Sequence, residues 1–313
     1  MKNFAKLIKL TLLVATSTVM FSCSDDDNVA PESNTIAAIA SRNPNFTTLV
    51  AALDRAGLVQ TLDQNGPFTV FAPTNAAFND FLADNGFTSL NDIPVDVLRE
   101  VLLNHVVNGT NLSTSLSTGY VKTLGKGSAS DSNTLSMFIN TTSGVRLNGV
   151  ASVTTPDIVA SNGVIHVVDA VIGLPTVVTH AAANPSFSTL VSLLTQQNLV
   201  STLDGTASSP FTVFAPNNDA FTTFETQNPG VLASLTSAQV TAVLTYHVVA
   251  GANVLSTGIP ATPITTFETG TFTIAGTTIT DERDRQTGII ATDVQASNGV
   301  IHVVNNVLLP TFD

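Results

Sequence analysis

Four of the chain's five histidines fall into two pairs of like context, His105 in "LLNHVV" with His247 in "LTYHVV", and His166 with His302 in "GVIHVV". Imidazoles paired in this way could ligate zinc or shuttle protons. Each of the four stands in an apolar run, however, which is the setting of a buried neutral ring that holds hydrogen bonds. His180 lies apart, ahead of the second half of the chain, with no partner in sequence. The signatures G-x-S-x-G, G-x-x-x-x-G-K, G-x-G-x-x-G and H-E-x-x-H do not occur. The glycine-rich stretch "LGKGSAS" from Leu124 has the wrong spacing for a phosphate loop and reads as a hairpin turn. Carboxylate pairs for glycoside cleavage meet only in space, so spacing is silent on them. The chain is read as no enzyme, with no metal, no cofactor and structural histidines.

The repetition extends beyond the histidines. "PFTVFAPTNAAF" at 67–78 returns as "PFTVFAPNNDAF" at 210–221 with ten of twelve residues unchanged. "NPNFTTLVAALDRAGLVQTLD" from Asn43 matches "NPSFSTLVSLLTQQNLVSTLD" from Asn184 at twelve of twenty-one positions, and "ASNGVIHVV" from Ala160 recurs unchanged from Ala296. The copies are 136 to 143 residues apart, a domain's length rather than a solenoid repeat's. Two similar domains in tandem are expected, 34–175 and 176–313, meeting near Pro175 to Thr179 with little shared core.

Within a copy, Phe46, Leu49, Val50 and Leu53 mark one face of a helix, as do Phe187, Leu190, Val191 and Leu194. "GPFTVFAP" reads as a buried strand closed by proline, and Thr74 or Asn75 as the N-cap of a short helix carrying Phe78, Phe81 and Leu82. "VDVLREVLLNHVV" places Val97, Val101 and either Leu98 or Leu102 on one side of a further helix. Short β-branched runs then alternate with Gly, Ser and Thr. Helices first and strands after predict an α+β domain with a mostly antiparallel sheet.

The first residues belong to neither copy. Lys2, Lys6 and Lys9 precede an apolar run from Leu10 to Met20, the pattern of a secretory signal peptide over residues 1–22 and too short for a membrane span. Cys23, the single cysteine, follows Ser22 at the expected cut and resembles the acylated cysteine of bacterial lipoproteins, although Met20 and Phe21 depart from that pattern. Residues 23–33, "CSDDDNVAPES", read as an acidic flexible tether. Ser24 with Asp25, Asp26 and Asp27 resembles the signal that sends some Gram-negative lipoproteins to the outer face. Without residues 1–22 the chain holds 8 Lys and Arg against 23 Asp and Glu, a net charge of −15. Its six arginines are scattered, so nucleic acid is not an expected partner.

Three motifs in fixed order resemble the fasciclin-like domain family, over nearly the whole chain from Asn34 to Pro310. Thr69, Phe71, Pro73, Asn75 and Phe78 are mirrored by Thr212, Phe214, Pro216, Asn218 and Phe221. His105 is mirrored by Tyr246-His247, and Asn162, Gly163 and His166 by Asn298, Gly299 and His302. Asn104 stands where the second copy and the family have Tyr, and Asn305 replaces the aspartate seen at Asp169. The resemblance implies two tandem domains, each a mostly antiparallel β wedge flanked by helices, in secreted or membrane-tethered proteins of adhesion and matrix contact. In some animal members an Asp-Ile pair before the Asn-Gly strand is assigned to receptor binding; here the pair is Asp157-Ile158, repeated as Asp293-Val294. The residues alone favour a plainer role, an aspartate accepting local hydrogen bonds in a turn with its aliphatic neighbour packed inward.

Two functions follow as expectations: a lipid-anchored outer-surface protein that binds a cell-surface or matrix protein, or a polysaccharide-binding accessory of nutrient uptake. With no Trp and only Tyr120 and Tyr246, the chain is short of aromatic platforms for sugars, which favours protein partners.

Overall fold

A computed structural model describes residues 33–205 and 207–312; the expected signal peptide, Cys23 and all but the last residue of the tether lie outside them. The first copy runs α1 (Ile36–Arg42), α2 (Thr47–Arg55), α3 (Val59–Asp63), β1 (Phe68–Pro73), α4 (Asn75–Asp84), α5 (Val95–Leu103), β2 (Val106–Asn108), β3 (Gly119–Gly127), β4 (Ser130–Asn140), β5 (Arg146–Leu147), β6 (Ala151–Ala160) and β7 (Gly163–Val168). The second runs α6 (Val177–Ala183), α7 (Ser188–Gln196), α8 (Val200–Asp204), β8 (Phe211–Pro216), α9 (Asn218–Gln227), α10 (Val231–Ser234), α11 (Ser237–Tyr246), β9 (Val248–Ala250), β10 (Ile264–Thr265), β11 (Thr271–Ala275), β12 (Thr278–Thr280), β13 (Gln286–Ala296) and β14 (Gly299–Val304). Each copy is α+β, with helices first and an antiparallel-dominated sheet after them. The parallel pairs are β1 with β7 and β8 with β14.

The apolar spacing sorts into cores as the periods require. Phe46, Leu49 and Leu53 join Phe78, Leu98 and Val101 under one face of the first sheet, while Phe71, Val107, Met137 and Ile139 fill the other. Val97, expected inside, is 43% exposed: α5 packs through Leu98, Val101 and Leu102, and its Glu100 accepts the Lys126 N–H of β3 at 2.6 Å. In the first copy the strands close into a barrel in chain order, β2 pairing with β3 through Val107 and Thr123. In the second, β9 and β10 end the sheet, with the Phe267 N–H donating to Val248 O at 2.6 Å across the gap.

Gly163 and Asn162 fix how helices meet sheet. At Gly163, with φ +150°, an added Cβ would lie 1.9 Å from Phe68 O, so only glycine lets β7 start this close to β1. The buried Asn162 amide accepts from Ile36 N–H at 2.9 Å and donates to Leu62 O and Gln64 O at 2.8 Å each. It thereby ties the start of α1 and the end of α3 to the β6–β7 turn. Asn298 does the same with Val177 N–H and Leu203 O.

The joint between the copies is more than a bare linker. The β3–β4 hairpin lays its tip on the β13–β14 turn: Ala129 N–H donates to Ser297 O at 2.9 Å and Ser128 Oγ to the same oxygen at 3.0 Å. Farther along, Gln295 N–H donates to Ser136 Oγ at 3.0 Å and Lys122 Nζ to Asp293 O at 2.9 Å. Tyr120 of β3 packs against the second copy's core, its ring 5.5 Å from that of His180 on α6.

Replacing Asn162 by Ala leaves one buried N–H and two carbonyls unpaired, each worth roughly 1 to 3 kcal/mol. Urea unfolding of Asn162→Ala should show stability lower by about 2–4 kcal/mol; a loss no larger than that of a surface Asn→Ala control would contradict this role.

Candidate functional site

The Asp-Ile pair lies at a bulge in β6, where the pairing register with β7 shifts between Thr155 and Ile158. Pro156 precedes it, and Asp157 adopts φ +63°, a left-handed geometry that Asp tolerates better than most residues. The carboxylate turns to the loop after β2: Oδ1 accepts from Ser113 N–H at 2.8 Å and Oδ2 from Ser113 Oγ at 2.5 Å. Asp157 N–H donates to His166 Nδ1 at 3.2 Å, and His166 Nε2–H to Asn111 O at 2.9 Å. Asn111 N–H in turn donates to Thr69 Oγ1 at 2.9 Å, whose hydroxyl donates to Gly109 O at 2.7 Å. One chain of hydrogen bonds thus joins β1, the β2–β3 loop, β6 and β7, and Phe71 stacks on the His166 ring at 5.4 Å.

The second copy repeats it atom for atom. Asp293 accepts from Ser256 N–H and Oγ at 2.8 and 2.5 Å, and Asp293 N–H donates to His302 Nδ1 at 3.4 Å. His302 Nε2–H donates to Val254 O at 2.9 Å, Val254 N–H to Thr212 Oγ1 at 2.9 Å and that hydroxyl to Ala252 O at 2.8 Å. The Ser113 hydrogen bonds, hydroxyl first and then backbone, hold the Asp157 carboxyl below the usual range. For Asp293, burial alone would raise the value, but the Ser256 bonds and nearby charge outweigh it. Neither copy forms a nucleophilic triad: the serine donates to the carboxylate rather than to a histidine, and both histidine nitrogens are spent on backbone.

The surroundings of the two corners differ. Ile158 is half-buried against the first core and Val159 beside it is 65% exposed. Val294 is buried, Gln295 is only 1% exposed, and the Asp293 carbonyl is held by Lys122 of the first copy. The carboxylates themselves remain about equally open, 33% and 32% exposed.

The other motif residues have equally local work. Thr74, rather than Asn75, caps α4, accepting from Ala77 N–H at 3.3 Å. Asn75 reaches to the α2 turn, accepting from Thr48 N–H and donating to Pro44 O at 2.9 Å each, as Asn218 does with Thr189 N–H and Pro185 O. Pro73 and Pro216 end their strands, and Phe78 and Phe221 are core residues. His105 donates from Nδ1 to Val101 O at 2.7 Å and accepts Ile172 N–H on Nε2 at 2.9 Å; His247 does so with Val243 O and Leu308 N–H at the same distances. Asp169, three residues beyond His166 and so at a spacing that metal sites use, instead accepts Ser152 N–H at 2.6 Å, and Asn305 keeps the bond with Gly288 N–H at 2.8 Å. Asn104 is satisfied by Gly173 O and Thr123 Oγ1 where Tyr246 reaches Thr271 O. Among the described residues no three His, Cys, Asp or Glu cluster as metal ligands, and no helix is long and apolar enough to cross a membrane.

Sequence reasoning passed over Ser113 and Ser256, which hold the corner. The signal was the repeated "LST" at Leu112–Thr114 and Leu255–Thr257, placed alike after each "HVV".

Burial pushes His105, His180 and His247 down to about 4 from an ordinary 6.5. The unfolded chain therefore binds more protons than the folded one between pH 6.5 and about 4, and stability falls as pH drops through that window. Thermal unfolding should show Tm steady above pH 7 and declining from about pH 6.5 towards 4. His180, whose Nδ1 is buried without a hydrogen bond, is the informative ring to remove: His180→Leu should flatten the decline, and an unchanged profile would exclude it as a contributor.

The Fasciclin domain family matches residues 44–175 and again 185–310. Protein sll1483 of Synechocystis sp. is 41% identical over 138 residues, covering 44% of this chain and 72% of that protein. Human periostin is 28% identical over 273 residues, 84% of this chain but 31% of periostin. A solved structure of a domain pair from the insect cell adhesion molecule Fasciclin I covers 83% of this chain and 92% of that chain at 21% identity, with a TM-score of 0.48. With the family's matches spanning both repeats, the chain belongs to the fasciclin domain family and carries two copies of its non-catalytic module.

Proposed function

We propose that this is a lipid-anchored surface protein, held through Cys23 on an acidic tether, whose two fasciclin domains bind a protein partner on a cell surface or in a matrix. The observation that carries the reading is the doubled non-catalytic module behind an export signal that ends at a single cysteine. The outer membrane of a Gram-negative bacterium is the location that the "SDDD" after that cysteine favours. Two copies also permit avidity, since a second weak contact on a multivalent surface becomes intramolecular.

A protein partner is preferred to a polysaccharide because both tyrosines are committed inside the fold: Tyr246 is buried and Tyr120 sits in the joint. Among the described residues, the large apolar side chains left exposed are aliphatic, Val97, Val159 and Ile290 among them. Of the two Asp corners, the first is the one open to a partner, because the backbone of the second is held by the first copy, through Lys122 Nζ on Asp293 O and Ser136 Oγ on Gln295 N–H. The aspartates themselves serve the backbone.

Cells fed a fatty-acid analogue should label the wild-type chain and not Cys23→Ala; equal labelling would remove the anchor. The tandem chain from Ser24 onward should bind saturably to matrix proteins or whole cells in a surface assay. Saturable binding to immobilised polysaccharide alone would replace the protein partner with a glycan.

A further inference from the structure

The copies diverge where a short segment covers the helical layer. In the first, Arg55 of α2 straps the Leu90–Asp92 turn down: Nη1 donates to Leu90 O at 2.7 Å, and Nη2 to Asn91 O at 3.1 Å and Ile93 O at 2.8 Å. Ile93 is consequently 2% exposed. The repeat-equivalent residue in the second copy is Gln196, whose amide turns back to Ser192 Oγ within α7. The covering segment there is α10, and its hydrogen bonds are local, from Gly230 N–H to Glu225 Oε1 at 2.6 Å and from Ser234 Oγ to Val231 O at 2.8 Å. Leu232 and Leu235, counterparts of Leu90 and Ile93, are half-buried.

Beneath α10 lies a cavity of about 150 Å3 bounded by Leu193, Phe221, Leu232, Val240, Leu244 and Val307. Val240 occupies the place of Leu98 in the first copy, one methylene shorter on the wall of the space. His247 also lines it, but both its ring nitrogens are taken by Val243 O and Leu308 N–H. A charged or strongly hydrogen-bonding guest would therefore be desolvated there without compensation. Exposed Thr189 lies at its rim, and a mainly apolar space of this size accepts a single aromatic ring.

We propose that the second copy binds a small neutral apolar molecule under α10, of the size of one aromatic ring or the end of a short alkyl chain. The loss of the arginine strap supplies the way in, because a segment tied only by local bonds opens at lower cost than one strapped to the neighbouring helix. The first copy, with Arg55 in place and Leu98 on the wall, does not share the site.

Benzene titrated into the full chain should raise Tm with the logarithm of its free concentration. Methyl resonances of Leu193, Leu232 and Leu244 should shift with it. Val240→Phe, which fills the space, should weaken the apparent affinity by about tenfold or more. Should that variant fold poorly through overpacking, Val240→Leu, the residue of the first copy, should show a smaller loss in the same direction. No benzene-dependent rise in Tm, or an equal rise in both variants, would overturn the proposal. So would shifts confined to Ile259 and Ile264, which line a separate cleft of about 210 Å3 beside β9.

Discussion

The side-chain amide of Asn162 is the point at which helices and sheet are tied together, and Asn298 repeats it. An amide can serve two acceptors and one donor at once, and here all three partners are backbone groups at the ends of α1 and α3. Those groups belong to helix termini, which carry no partner of their own and would cost free energy if buried bare. The glycine that follows lets the next strand start against β1 without a side chain between them. The order in which helices precede strands is therefore built around a turn near the end of the copy, where the last strand returns beside the first in parallel. The Asp157 and Asp293 networks perform the complementary task on the other side of the same strand pair, fixing the loop that leaves β2 or β9.

Much of this was legible because it is written in side chains that act locally. The buried strand "FTVFAP", the helix face of Phe46, Leu49 and Leu53, and the Asn-Gly turn follow from period, capping and backbone freedom, and each appears twice, so one copy checks the other. Val97 was misread because apolar spacing on α5 permits two faces, and the choice falls to Glu100, whose carboxylate must meet β3. Ser113 was missed because a serine in a Gly, Ser and Thr-rich loop has no period; its role exists only once Asp157 stands opposite it. The joint was illegible for the same reason: Gly127 and Ser128 look like any hairpin tip until Ser297 lies against them.

Duplication did not leave the copies equal. The first closes its barrel, straps its α4–α5 connection with an arginine and extends a long hairpin. The second leaves β9 and β10 as sheet ends, covers a cavity with an unstrapped helix and buries its bulged strand against its neighbour. Shared motifs preserve the frame in both, while the residues between them are where the copies differ.

The joint is heterologous, since a hairpin on one copy meets a bulged strand on the next. Its two halves are not both present at each end of the pair. On the first copy the bulged strand still faces outward, with Val159 open to solvent. On the second the corresponding hairpin is cut short, from the two residues of β10 to a β11 that begins at Thr271. The copies thus present unlike outer faces, an open bulged strand on the first and a shortened hairpin on the second, so the contact that joins them is not reproduced elsewhere among the described residues.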